Sequence, residues 1–393
     1  MSKIGTQCSD NEPKLKRVMR ELIDFINSKY EYHFNVMTER AEIRKLNSGG
    51  DYVEVDQRVK NDLTMKALEA NVDCLDMDVN RLFHSSFIPQ FNPLKDYLDR
   101  LPLWDKIDHV SELACRICHK SDWIQGFHRW LLAMVAQWKQ MNSTFGNNFM
   151  PILISPQQAF HKSTFCKLIL PPELRCYYTD NFSVTSKSNP IEKLAHFALI
   201  NIDEMNRFGV KAMAELKNIM EMAAVDIRKP YQVGYSHLPR MASFIATSNY
   251  TDLLTDSTGL RRFLPVVLEH RIEKLDINYS QLYAQLLTEL EVDTRYWSNL
   301  SEENALTVRN QAFIRRPVEE SLFFSCYRLP EKDESSSLVS ISEIYETMRK
   351  KSPSTMRDIK MGSFGEHLAI LGVKKERKFG AGYRYRVVQQ RFE

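Results

Sequence analysis

The sequence predicts an α/β core, with a helical region before it and a small basic helix-and-hairpin unit after it. Three observations carry this reading. Four short apolar runs, Phe149 to Ile154, Phe197 to Ile202, Ala242 to Thr247 and Phe263 to Leu268, alternate with helical or polar stretches, as in a sheet wound with helices. Leu15, Val18, Met19, Leu22, Ile23 and Ile26 recur at three- and four-residue spacing, as on one face of a helix over 14–29. Toward the other end, Ile341, Ile344, Tyr345 and Met348, then Phe364, Leu368 and Leu371, mark two short helices. A hairpin over 373–388 follows, around Gly380 and Gly382, and this order suggests a winged-helix-like domain.

Composition bounds the remaining possibilities. A chain of 393 residues is too long for one small core and predicts two or three domains. With 43% hydrophobic and 26% charged residues it reads as soluble and globular rather than disordered. No stretch approaches the ~18 uncharged apolar residues of a membrane span, and Met1 to Glu12 is too polar for a secretory signal. A cytoplasmic protein with no membrane partner is expected. The seven cysteines are odd in number and scattered, unlike a disulfide framework. The net charge of +3 identifies no polyanionic partner, so any nucleic-acid argument rests on local clusters of charge.

The other elements follow in chain order. Phe34 to Lys45 alternates weakly, Asn47 to Gly50 make a turn, and Asp51 to Val55 reads as a returning strand. Prolines 89, 93 and 102 disfavour a continuous helix and mark a connector, with a boundary near 90. Helical periodicity resumes over 110–117 and 127–138, where Trp130, Leu131, Met134, Val135 and Trp138 share a face, and again over 279–290. The expected organisation is a small N-terminal region (1–90), a helical lead-in (91–145), the α/β domain (146–318), a linker (319–337) and the basic winged-helix-like domain (338–393).

After the run ending at Ile154 come Ser155, Pro156, Gln157, Gln158, Ala159, Phe160, His161, Lys162, Ser163 and Thr164, then a helical stretch over 165–170. Strand, loop and helix stand in the order of a P-loop. Such a loop needs a lysine for the β- and γ-phosphates, a hydroxyl for magnesium and backbone N–H groups at a helix start. Lys162 and Ser163 supply the first two, flanked by His161 and Thr164. The pattern has glycine where this chain has Pro156 and His161. Proline contributes no N–H, while histidine tolerates positive φ better than most residues. Strain of about 1 to 3 kcal/mol per residue predicts a loop that is weakened but retained.

Downstream, the Phe197 to Ile202 run delivers Asp203 and Glu204, the Walker B arrangement: Asp203 for the magnesium shell, Glu204 to orient or deprotonate the attacking water. The third run leads to Asn249, whose amide suits water orientation or γ-phosphate sensing. Thr258 to Phe263 is a glycine turn presenting Arg261 and Arg262, guanidiniums suited to phosphoryl charge across a subunit boundary. Singly, each motif has a plainer reading: a chance Lys–Ser pair, a solvated acidic turn, a turn asparagine, surface salt bridges. Their succession in one chain points to a magnesium–ATP site.

Asp226, Ile227, Arg228, Lys229, Pro230 and Tyr231, with Phe244 to Asn249 and then Asp256, Gly259, Arg261, Arg262 and Phe263, resemble the virulence-associated protein E family of P-loop proteins. That family is similar to superfamily 3 helicases within the AAA+ group and occurs on mobile elements and phages. The likeness spans about residues 90–270, and the flanking segments resemble its Bacteroidetes branch. The resemblance implies a P-loop NTPase core (AAA+/superfamily 3 helicase-like). It implies Lys162 and Ser163 for phosphate and magnesium, Asp203 and Glu204 for Walker B, Asn249 for sensing, and Arg261 or Arg262 as the arginine finger. It further implies a hairpin over 226–240 contacting DNA through Arg228, Lys229 and Arg240. The departure at Pro156 and His161 bears on hydrolysis more than on fold.

Two further signals need weighing. Cys115, Cys118 and His119 match the spacing of covalent haem attachment or of half a metal site. Haem attachment requires export and no second cysteine pair completes a zinc site, so structural thiols on a helix are the reading. His128 reads as a helix-surface residue. At the C-terminus, Lys374, Lys375, Arg377, Lys378, Arg384, Arg386 and Arg391 oppose only Glu376 and Glu393, enough positive charge to follow a phosphate backbone. The alternative there is a solvated basic face.

The leading expectation is an ATP-dependent, ring-forming DNA helicase or replication-type ATPase of a mobile element or phage-related locus. It would use ATP and Mg2+ on single-stranded or origin DNA, with a primase on another chain as a candidate partner. The rivals are a non-catalytic DNA-binding or regulatory protein that retains the fold, and a ring-forming structural or defence subunit.

Overall fold

The computed structural model describes residues 13–141, 146–157, 159–184, 190–228, 234–255, 258–273, 276–292, 295–315, 317, 319–331, 334–378 and 382–390. Helix α1 (Lys14–Lys29) buries Val18, Leu22 and Ile26 of the face read from the sequence, together with Phe25, whereas Leu15 in its first turn stays exposed. It packs on a sheet of order β3-β2-β1-β4, built from β1 (Tyr30–Asn35), β2 (Arg40–Lys45), β3 (Val53–Glu54) and β4 (Gln90–Phe91). Helices α2 (Gln57–Glu69) and α3 (Asp76–Phe83) complete this small core. The returning strand is β3, paired with β2. The stretch 34–45 is also broken at 36–39, because the Asn35 side chain accepts from the N–H groups of Met37 (2.9 Å) and Thr38 (3.3 Å). Such asparagine turns compete with strand pairing. At the proline-rich connector, Asn92 caps α4 (Pro93–Asp99), accepting from the N–H groups of Leu94 and Lys95, with proline in the first helical turn, where its missing N–H is harmless.

The central unit contains α5 (His109–Cys115), α6 (Ser121–Trp138), β5 (Met150–Ile154), α7 (Lys162–Leu168), β6 (Tyr178–Thr179), α8 (Lys193–His196), β7 (Leu199–Ile202) and α9 (Val210–Glu221). It continues through β8 (Ala224–Ile227), β9 (Ser236–Pro239), β10 (Ser243–Ser248), β11 (Phe263–Val267), α10 (Tyr279–Glu291) and α11 (Leu300–Asn310). Four of the five sheet strands are the four apolar runs, and the fifth is the two-residue edge strand β6. The order is β11-β5-β10-β7-β6, every neighbouring pair parallel. Both faces are covered, which explains why the runs are continuously apolar rather than alternating. Leu153, Leu199, Ile245, Leu264 and Val266 point into a core with α5, α6, α7 and α10. Ile152, Ile200, Phe244 and Phe263 point into the other, with α8 and α9. Cys118 is buried in the first core and Cys115 closes α5, as structural thiols do. His128 is not a bare surface residue: its Nε2 lies 2.5 Å from Glu289 Oε2, joining α6 to α10.

The C-terminal unit has its own core, formed by α12 (Glu320–Cys326), β12 (Tyr327–Arg328), β13 (Ser337–Val339), α13 (Ile341–Lys351), α14 (Pro353–Met356), α15 (Met361–Ile370), β14 (Lys375–Lys378) and β15 (Gly382–Gln389). β15 pairs antiparallel with β12, β13 and β14. Leu322 and Phe323 of α12, inside the stretch read as a linker, pack into this core. Among the described residues no helix is long and apolar enough to cross a membrane.

Candidate functional site

In a parallel α/β sheet the loops at the strand C-termini share one edge, where ligands usually bind. β5, β10 and β7 are adjacent, so Ser155 to Thr164, Ser248 to Asn249 and Asp203 to Glu204 leave that edge side by side. Lys162 Nζ donates to Ser155 O at 3.0 Å and to Asn249 Oδ1 at 2.9 Å. Ser163 Oγ donates to Asp203 Oδ1 at 3.0 Å. The structure thus brings together lysine, hydroxyl, aspartate and amide. Burial lowers the Lys162 pKa, and the nearby Asp203 carboxylate partly opposes that shift. Thr164 is exposed one residue further along α7.

The loop holds the unusual backbone that glycine would make easy. Ala159 and His161 both lie in the left-handed region, at φ 62° and 61°. His161 is the last residue before α7, and its Nε2 accepts from the guanidinium of Arg271 at 2.5 Å. Glu204 is also left-handed, at φ 52°. Its carboxylate is 2.6 Å from Arg207, an ion pair no sequence spacing announced as part of a site. Thr247 was missed as well: its hydroxyl bonds Asp203 Oδ1 and accepts from the Glu204 N–H at 3.3 Å, joining both acids to β10. Arg315, beyond α11, donates to the carbonyls of Asn206 and Asp252 beneath the same edge. A cleft of about 480 Å³ opens here between Pro156, Glu204, Asn249 and Asp252.

Arg261 and Arg262 lie at the opposite edge of the sheet. Phe263 pairs with Met150 and Val267 with Ile154, so the two arginines precede the end of the sheet where Lys162 lies by at least four residues, about 13 Å. A larger cavity, about 650 Å³, surrounds them together with Arg129, Glu221, Trp297 and Glu303. The two side chains differ. Arg262 is mostly buried, paired with Glu221, and packed so closely on Gly259 (φ 65°) that a Cβ there would overlap its guanidinium. Arg261 is half-exposed and pairs with Glu303 at 2.9 Å.

Of the expected nucleic-acid contacts, Arg228 is exposed at the end of the two-stranded β8–β9 ribbon, and Lys229 lies outside the described residues. Arg240 requires correction. Only 2% exposed, it donates to the carbonyls of Ala242 (2.7 Å), Met220 (2.6 Å) and Asn147 (3.0 Å), and burial lowers its pKa. It is a structural clamp that no DNA phosphate reaches. Lys374, Lys375 and Arg377 are exposed at or near β14, Lys378 ends that strand, and Arg384 Nη1 is 3.3 Å from Glu343.

No curated protein sequence matches the chain. Among solved structures, the apo NrS-1 C-terminal region (305–718) aligns at 13% identity and a TM-score of 0.45, covering 95% of this chain and 99% of that one. Its A form aligns at 11% and 0.44, covering 94% and 98%. A domain of unknown function from a B. theta gene matches residues 316–387. The virulence-associated protein E-like domain matches residues 98–314, more than half of the chain, taking in Lys162, Asp203, Asn249 and Arg261; the protein belongs to the virulence-associated protein E-like family.

Proposed function

We propose that this protein is a replication-related P-loop ATPase of the AAA+/superfamily 3 helicase type that binds magnesium–ATP, assembles as a ring and acts on DNA. The observation that carries the reading is the double tie across three adjacent strand ends: Lys162 to Asn249, and Ser163 to Asp203. The donor set suits the ligands. A serine hydroxyl and a carboxylate within 3.0 Å of each other are hard oxygen donors appropriate to magnesium, and Lys162 is the cation for the β- and γ-phosphates. When bound, magnesium neutralises charge on the phosphates. Asp203 is oriented for that ion by Thr247 and Ser163, and Glu204 would orient water once it exchanges its bond to Arg207. The separation of the arginines from Lys162 favours action in trans: Arg261 would reach the nucleotide of a neighbouring subunit, as a ring requires.

For the C-terminal unit, the order α12, β13, α13, α15, β14, β15 supports a winged helix whose β14–β15 hairpin follows the DNA backbone through Lys374, Lys375, Lys378, Arg377 and Arg384. A primase on another chain remains the candidate partner. A second reading, a nucleotide-gated or DNA-binding scaffold without turnover, draws on Pro156, which removes an N–H donor from the loop, and on the Glu204–Arg207 pair.

The test is a titration of the full chain with labelled ATP and magnesium, alongside Lys162→Ala and a separate measurement of phosphate release. Binding lost in the variant, with release by the parent chain, is expected. Binding without release supports the scaffold, and no difference between the two proteins sinks the nucleotide site.

A further inference from the structure

The sequence motifs leave one cation next to the loop unaccounted for. Arg271 follows β11, the edge strand beside β5, and the backbone there is fixed rather than loose. Leu268 N–H donates to Ile154 O at 2.8 Å and Ile272 N–H to Phe160 O at 3.3 Å, while the Ile272 side chain is 2% exposed in the core. These contacts hold Arg271 at the surface against the loop, its guanidinium 2.5 Å from His161 Nε2, one residue before Lys162. Among the described residues no carboxylate lies within ion-pair distance of it. A guanidinium has five N–H donors in a planar fork, and one bond to an imidazole leaves most of them unused.

The loop beside it is short of donors. Pro156 has no N–H, and Ala159 and His161 carry side chains at left-handed positions where glycine would let a phosphate approach the backbone closely. From this juxtaposition we propose that Arg271 is a phosphate-binding residue of the same chain, contacting the β- and γ-phosphates of a nucleoside triphosphate and supplying the donors that the glycine-free loop lacks. His161 acts as its positioning residue, orienting the fork by accepting one N–H. The assignment rests on the nucleotide-site reading above and extends it to a cation from outside the loop.

The full chain is titrated with magnesium–ATP, magnesium–ADP and AMP, and so are Arg271→Ala and Arg271→Lys. Charge-assisted bonds to phosphate predict that Arg271→Ala weakens ATP binding by roughly tenfold or more, with a smaller loss for ADP and none for AMP. Arg271→Lys should recover part of the loss, because it keeps the charge without the fork. Circular dichroism before each titration checks that the variants are folded. ATP affinity within twofold of the parent, or an equal loss for all three nucleotides, overturns the assignment while leaving the nucleotide site intact. A parent chain that binds none of the three overturns both.

Discussion

The hydroxyl of Ser163 bonds Asp203 Oδ1 at 3.0 Å, joining the first turn of α7 to the end of β7 although 40 residues separate them. In the sheet β10 lies between β5, which leads into α7, and β7, and its Thr247 bonds the same carboxylate oxygen. The candidate magnesium position is therefore set by three strands at once, and its chemistry can be probed one group at a time.

Lys162 gives a pH test. Burial depresses its pKa, with Asp203 pulling weakly the other way. For a depressed base, the linked stability is present above the unfolded lysine pKa and lost as pH falls through the lowered folded value, so at neutral pH the charge is held at some expense to the fold. Lys162→Met is accordingly expected to keep or raise the neutral-pH urea midpoint while weakening ATP binding at least tenfold. ATP affinity of the parent should fall as pH rises through the lowered pKa, earlier than for an ordinary lysine, and stay flat in Lys162→Arg. Identical alkaline profiles for the two would exclude Lys162 as the phosphate cation.

Thr247 ties both acids of the candidate site to β10. Thr247→Val keeps the shape and deletes the hydroxyl that holds Asp203 and the Glu204 N–H. The magnesium needed for half-maximal ATP binding should rise roughly tenfold, with a stability loss of about 1 kcal/mol. A magnesium titration and a urea melt measure the two; an unchanged magnesium requirement removes Thr247 from the site.

Arg240 should behave as core. Arg240→Ala strands the carbonyls of Met220, Ala242 and Asn147 and should destabilise by about 3 kcal/mol or more in denaturant. DNA affinity per folded molecule should not change. A selective loss of DNA binding at full stability would return the residue to the DNA surface.

The two arginines should separate. Arg262→Ala is expected to lower stability, because its side chain fills the space left by Gly259 and pairs with Glu221. Arg261→Ala should fold normally and lose phosphate release. Mixing Arg261→Ala with Lys162→Ala subunits should then restore part of the activity, since each contributes an intact half of a shared site. Silence in the mixture argues against action across a boundary.

For DNA, each of Lys374, Lys375 and Arg377 that contacts a phosphate should contribute about 0.9 to the slope of log affinity against log salt on duplex DNA. Replacing all three with glutamine and measuring that slope by anisotropy tests the basic hairpin; no change in slope leaves it a solvated face.

Much of the central unit was legible because its signals are local. A continuous apolar run bounded by polar residues reads as a buried strand whatever surrounds it, and β5, β7, β10 and β11 all announced themselves so. β6 did not, since two residues at a sheet edge carry no periodicity. Lys162–Ser163 and Asp203–Glu204 were visible for a related reason: each pair sits where an apolar run stops, or one loop beyond it, and chain order survives folding.

The amino-acid sequence by itself determined which residues could bear charge on a phosphate and which segments had to be buried. Only the tertiary structure decided which of those charges meet. Arg240 and Arg271 are alike in one dimension, each an arginine a few residues from an apolar run. Folding encloses the first among backbone carbonyls and sets the second beside a residue 110 positions away. The order of strands across the sheet makes that choice, and it arises from which faces pack together rather than from the spacing of neighbours along the chain.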